Sequence, residues 1–195
     1  MQQIIPVSVT VPEYVSSNYH DQIPTPTHCP QCHDTQGLHR HGTYDRWVSW
    51  FAEQVLITIA RFLCRKCGRT LSCLPDWCLS YRRVNVFTTQ RYLDGEHDEQ
   101  GEREISTWEY LLRSYQSRID SFGPTLIRRL HTGLGIAPPL SDQPPWPWIR
   151  KACGTLQSAA RQLVSTFRIT LFGRYRCHQP CGFDKPRSAG TTREK

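Results

Sequence analysis

Apolar and polar residues alternate through the middle of the first half of the chain, in GLHRHGTY (37–44), VLITIARFL (55–63) and RTLSCL (69–74). A period of two is that of strands with one face buried. Gly37, Gly42 and Gly68 stand where turns are needed, so residues from Cys29 to about Arg83 read as a set of short antiparallel strands. Residues 1–27 carry Pro6, Pro12, Pro24 and Pro26 and only short β-prone runs such as Val7 to Val11, and they read as an extended arm. After Arg83 the period changes. Residues 84–94 predict a short helix, and 94–106 (DGEHDEQGEREIS) have the composition of an exposed acidic linker. Trp108, Leu111, Leu112, Tyr115, Ile119 and Phe122 then recur at spacings of three and four, an amphipathic helix that Gly123 and Pro124 are expected to end.

A second helix, PTLIRRLHTG, follows from Pro124, so residues 107–133 form a helix-turn-helix pair in the general sense. The loop APPLSDQPPWPW separates it from a third periodic segment, with Ile149, Ala152, Leu156, Ala160, Leu163 and Phe167 in phase. FRITLFGRYRC predicts a strand before a polar end. The organisation is therefore an arm (1–27), a β unit (28–83), a short helix and linker (84–106), a helical helix-turn-helix-like region (107–168) and a basic tail (169–195). The fold class expected is α+β.

Composition adds what pattern cannot. With 195 residues, 38% of them hydrophobic, the chain suits one ordinary domain or two small ones. No apolar run approaches the roughly 18 residues of a membrane span, and MQQIIPVSVTVPEYV lacks a charged start before its apolar stretch. The expectation is a bacterial cytoplasmic protein, with no membrane and no small-molecule substrate. The net charge of +7 is uneven: residues 37–91 hold nine basic and three acidic side chains, 92–109 hold one and seven, and 110–195 hold fourteen and four. Basic blocks on either side of an acidic spacer suit a polyanion, because Lys and Arg that neutralise phosphates release counterions.

Nine cysteines in a reducing compartment do not suggest disulfides, and an odd number cannot all pair. Cys29 and Cys32 form one C-x-x-C, Cys64 and Cys67 another, with 31 residues between the pairs. Each pair sits in a turn-prone setting, with Pro30 in the first and Gly68 after the second. Two such arms supply four thiolates, the tetrahedral set that zinc prefers, and leave no open position for water, so the site is structural. A β unit this small needs such a staple. Cys73 and Cys78 raise a second site with Cys153, or with Cys177, His178 and Cys181. Without a third C-x-x-C they are read first as small buried hydrophobes.

HCPQC, GLHRHGTYDRWV and IARFLCRKCGRTLSCLPDWCLSYRRV together resemble the transposase-associated zinc-ribbon family of bacterial mobile elements, over residues 28–83. The resemblance implies that Cys29, Cys32, Cys64 and Cys67 are ligands of Zn2+ and that Arg61, Arg69, Arg82 and Arg83 occupy basic positions. It also implies a helix-turn-helix after the ribbon, DNA binding, and a place in or beside an insertion-sequence transposase. Leu71 in place of the usual Phe, and the cysteines at 73 and 78, depart from that pattern.

Read from the residues alone, the ribbon would hold Arg61, Arg65, Lys66 and Arg69 along one edge, with His39, Arg40 and His41 on the facing hairpin. Trp50 and Tyr81 could add aromatic contact, whereas Trp47 is read as part of the small core. Arg128 and Arg129 would decorate the second helix, with Arg113, Arg118 and His131 nearby. No triad of carboxylates for a two-metal nuclease can be placed, and no phosphate-loop, zincin or hydrolase motif occurs. The expectation is a non-enzymatic zinc-ribbon DNA-binding protein, nucleoid-associated and partnered by DNA and a transposase subunit. The alternatives are a protein–protein adaptor, with PPWPW as its exposed contact, and an RNA-binding ribbon.

Overall fold

The computed structural model describes residues 1–96, 99–139 and 143–174. In chain order the elements are β1 (Gln2–Ile5), α1 (Val11–Ser16), a 3-10 turn (Tyr19–Gln22), β2 (Leu38–Trp50), β3 (Glu53–Cys64), β4 (Thr70–Pro75), α2 (Val86–Asp94), α3 (Glu99–Leu134), α4 (Pro145–Cys153), α5 (Leu156–Phe167), β5 (Ile169–Thr170) and β6 (Gly173–Arg174). Helices and a four-stranded sheet ordered β1-β4-β3-β2 make the chain mixed α and β. Among the described residues no helix is long and apolar enough to cross a membrane.

The expected strands form. β2 and β3 are a long antiparallel hairpin, from Leu38 opposite Cys64 to Trp50 opposite Glu53, and β4 returns antiparallel to the end of β3. The register shifts between Arg40 and Gly42, leaving His41 as an extra residue, and Gly42 takes a φ of 132° that a side chain would resist. The sheet is not wholly antiparallel. β1 lies parallel to β4, with Gln2 opposite Ser72 and Ile5 opposite Pro75, and the amino group of Met1 donates to the Thr70 carbonyl at 2.7 Å.

The arm expected over 1–27 is thus partly strand and partly helix. Pro12 does not break the helix, because it lies in the first turn of α1, where its missing N–H costs nothing. Thr10 and Glu13 close a capping box there, with the Thr10 amide donating to Glu13 Oε2 at 2.8 Å.

A larger correction concerns the helix-turn-helix. Residues 107–133 are not two helices; they belong to one continuous α3 that runs through Gly123 and Pro124. A proline inside a helix costs about 3 kcal/mol. Breaking there would take Leu126 and Leu130 out of the stripe that also buries Trp108, Leu112, Tyr115 and Ile119. Each fully buried leucine is worth about 2 kcal/mol, so the pair outweighs the proline. Gly123 has its own use, since a Cβ there would lie 2.1 Å from Pro145 Cγ, and its absence lets α4 lie close against α3.

The expected acidic linker is also structured. Residues 99–106 are the first turns of α3, and Glu104, only 6% exposed, accepts from Thr88 Oγ1 at 2.9 Å. PPWPW is not an exposed contact either. It enters the first turn of α4, Trp146 and Trp148 are buried, and their indole N–H groups donate to Asp94 Oδ1 and the Ala137 carbonyl, each at 2.8 Å. The third periodic segment is split into α4 and α5 at Gly154 (φ 79°), with Thr155 capping α5 by accepting from the Ser158 amide at 3.0 Å. The strand expected over 167–177 is reduced, within the described residues, to the two-residue strands β5 and β6. Residues 175–195 of the expected basic tail lie outside the described residues.

The main core joins α3, α4 and α5 to Ile4 of β1 and to Leu79, Val84 and Val86 beyond β4. Two smaller clusters pack on the sheet, one around Val48, Ile57, Ile59 and Trp77 with α1, the other around Phe62, Leu71 and the cysteines. Asp76, almost buried, ties the layers by accepting from Arg161 of α5 at 2.9 Å and from the Val7 amide at 3.3 Å.

Candidate metal centre and basic rim

The two C-x-x-C segments are turns of one design. The His33 amide donates to the Cys29 carbonyl and the Gly68 amide to the Cys64 carbonyl, both at 2.8 Å. One step further along, the Cys29 amide donates to the Asp34 carbonyl and the Cys64 amide to the Arg69 carbonyl, at 2.8 and 3.0 Å. Both turns leave through a left-handed residue, His33 at φ 58° and Gly68 at φ 67°. Glycine announced the second exit in the sequence; histidine at the first gave no such signal. The turns are also tied to each other, by the Arg65 amide donating to the Gly37 carbonyl at 2.9 Å and by Lys66 Nζ at 3.8 Å from Asp34 Oδ1.

Hairpin β2–β3 returns the second turn to the first, and four sulfurs converge. Cys29 and Cys67 Sγ are 3.7 Å apart, Cys32 and Cys64 Sγ 3.6 Å, and all four lie within 4.8 Å of one another. A tetrahedral ion with bonds of about 2.3 Å to sulfur spans edges of about 3.8 Å. The four cysteines therefore fit one metal ion. Among the described residues they are the single group of three or more His, Cys, Asp or Glu side chains so gathered.

The electrostatics suit thiolate ligation. The Gln31 amide donates to Cys29 Sγ at 3.4 Å. Burial pushes the Cys64 thiol up, but the Cys67 amide, the neighbouring thiols and the Lys66 amide outweigh it and bring the group down to about 7. Burial pushes Cys67 up to about 12. Four sulfurs this close cannot all ionise alone, and a bound cation is what lets them do so.

Cys73, Cys78 and Cys153 join three different apolar clusters, and among the described residues they form no second site. Burial pushes Cys73 and Cys78 up to about 12, which keeps them as neutral thiols. Cys177, His178 and Cys181 lie outside the described residues.

The nominated basic residues divide. Arg65, Lys66 and Arg69 are exposed on the second turn, beside the sulfurs. Arg40 is exposed on β2, where its guanidinium donates to Asp21 Oδ1 at 3.0 Å and to the His20 carbonyl at 2.7 Å. Arg61 is half-buried, 6.0 Å from the centre of the Tyr44 ring. Arg82 turns inward. Its guanidinium sits over the rings of Phe172 and Tyr115, at 4.7 and 5.4 Å, burial lowers its pKa, and its Nε is buried without a partner. Arg82 thus ties the loop after β4 to the helical layer. Arg83 is exposed; its amide donates to Tyr115 Oη at 3.1 Å and its carbonyl accepts from the Ser49 amide at 2.8 Å. Arg128 and Arg129 are exposed near the end of α3.

Of the aromatic residues, Trp47 is 46% exposed rather than core, opposite the equally open Leu56, and Trp50 is half-buried. Sequence reasoning missed Asp76, Asp94 and Glu104, whose carboxylates are structural partners across the fold. Nothing local marks them out from the solvated acids around them.

Residues 29–111 match a family model described as a domain of unknown function (DUF6431), a span that holds both cysteine pairs and runs into α3. No curated protein and no solved structure matches the chain.

Proposed function

We propose that the protein is a non-enzymatic zinc-ribbon DNA-binding protein, an accessory or DNA-binding component of a transposition system. The observation that carries this reading is the second cysteine turn, which exposes Arg65, Lys66 and Arg69 on the same short loop that supplies two of the four sulfurs. A metal-pinned loop holds its cations in fixed register at little further entropic cost, and arginine forks then match phosphate oxygens. Zinc suits the sulfur tetrahedron and adds no redox chemistry of its own. With four thiolates the ion is closed to water, and its role is to hold the loop. The resemblance of residues 28–83 to transposase-associated ribbons supports DNA as the polyanion. The adaptor reading loses its main support with Trp146 and Trp148 buried.

Gel-shift titration of the metal-loaded chain against duplex DNA tests the reading. Affinity is expected to fall as salt rises, with a logarithmic slope of about −0.9 for each phosphate neutralised. No retardation at low salt, with zinc confirmed by elemental analysis, would overturn it. Iron in place of zinc would overturn the choice of metal. A separate catalytic transposase encoded in the neighbouring open reading frame would support the accessory role.

A further inference from the structure

A cleft of about 300 Å³ lies between β1, the first cysteine turn and α5. Gln2, Gln3, His28, His33, Arg161 and Arg168 line it, and among the described residues no carboxylate does. Arg161 is engaged by Asp76, whereas the guanidinium of Arg168 meets an imidazole, Nε2 of His33 at 3.1 Å. Arg168 therefore keeps a charge that no acid in the cleft offsets.

Two further features narrow the ligand. The side-chain oxygen of Gln2, on the same face of β1 as Ile4, is buried without a hydrogen-bond partner. A buried acceptor left unmet costs roughly 1–3 kcal/mol, which a ligand bearing N–H groups would recover. The imidazoles of His28 and His33 lie nearly parallel, at 18° and 6.3 Å between centres, with Ile4 and Val164 as apolar wall beside them. Flat rings of this kind stack unpaired bases. A volume of 300 Å³ is at the lower end of the roughly 300–1,000 Å³ typical of small-ligand sites, larger than a lone phosphate needs.

We propose that this cleft binds one nucleotide of an unpaired nucleic-acid strand. Its phosphate meets Arg168, its base lies against the His28 and His33 rings, and the N–H edge of the base is met by the side-chain oxygen of Gln2. The proposal rests on the reading of the chain as a nucleic-acid binder, and it assigns to the junction of ribbon and α5 a role distinct from that of the Arg65–Arg69 rim.

The test uses the full metal-loaded chain with labelled histidines, followed by NMR. Nucleoside 5′-monophosphates of each base, inorganic phosphate, unphosphorylated nucleosides and a short single-stranded oligonucleotide are titrated in turn. Both imidazole signals are expected to move with the oligonucleotide and with at least one monophosphate, and to move less with phosphate or nucleoside alone. Arg168→Gln and the exposed-site variant His28→Ala should each weaken binding about tenfold, the effect of one lost charged or stacking contact, with metal content unchanged. Gln2→Leu should flatten the preference among bases.

Silent imidazole signals throughout would overturn the proposal, as would an Arg168→Gln protein that titrates like the parent. Binding of monophosphates without the oligonucleotide would overturn the strand as occupant. Duplex retardation separates the two readings: Arg168→Gln should leave it intact, and a chain that retards no duplex yet binds monophosphates overturns the DNA-binding function while sparing the cleft.

Discussion

The two cysteine turns share a backbone and differ in everything they show to solvent. Each has the same pair of hydrogen bonds and the same left-handed exit, yet the first carries Pro30, Gln31 and His33 where the second carries Arg65, Lys66 and Gly68. The shared part is what the sulfurs require. The differing part is free to serve a ligand, and under the proposed function the division of positive charge between the turns puts the phosphate-facing side on the second.

The largest effect should come from the shared part. Cys64→Ser or Cys29→Ser is expected to abolish metal binding and unfold the sheet end around Phe62 and Leu71, because a structural ion contributes on the order of 10 kcal/mol to a small fold. One equivalent of metal retained in either variant would show that the turns do not act as a pair. Next comes the differing part. Arg65→Ala with Arg69→Ala should lower duplex affinity at least tenfold and reduce the salt slope by about 2, with full metal content. The same number of charges removed from α3, as Arg128→Ala with Arg129→Ala, measures whether the helix shares the contact.

The exits give a finer comparison. Gly68→Ala places a Cβ at φ 67° and should cost about 1–2 kcal/mol in thermal or denaturant unfolding, whereas His33→Gly relieves the same conformation and should leave stability level or slightly raised. Equal effects of like sign would contradict the symmetry of the turns.

The smallest expected change is none. Burial holds Cys73 and Cys78 near 12, so alkylation of the metal-loaded protein at pH 8 should spare both, whereas a chelator should open the four turn cysteines and, with the sheet end around Phe62 and Leu71, Cys73. Because these two thiols hold their protons more tightly folded than unfolded, stability is intact below about 9 and declines as pH rises towards 12.

The gathering of the four sulfurs was legible in the sequence because its cause is local. Two C-x-x-C spacings and strands of period two fix where the sulfurs go, and Arg65, Lys66 and Arg69 follow from lying between and beside them. The rest depends on residues far apart. Gly123 and Pro124 read as a stop, and only the burial of Leu126 and Leu130 in the main core, with Gly123 packed on Pro145 of α4, shows why the helix continues. Glu104 and Asp94 sit in a run of acids with nothing to separate them from solvated neighbours; their partners, Thr88 and Trp146, are 16 and 52 residues away. Arg82 looks like part of a basic surface in Y-R-R, and its place among aromatic rings is set by α3 and by Phe172. A parallel β1 could not be foreseen from four residues whose partner lies about 70 positions on.

That long separation bears on the order of assembly. Gln2 must find Ser72 across 70 residues of chain, but once the sulfurs of Cys29 and Cys67 share an ion the route shortens to 27 residues on one side and 5 on the other. Closing a loop of 32 rather than 70 lowers the entropic cost by about 0.7 kcal/mol. An ion held there would act as a shortcut through the chain, easing the docking of the first strand at the sheet edge.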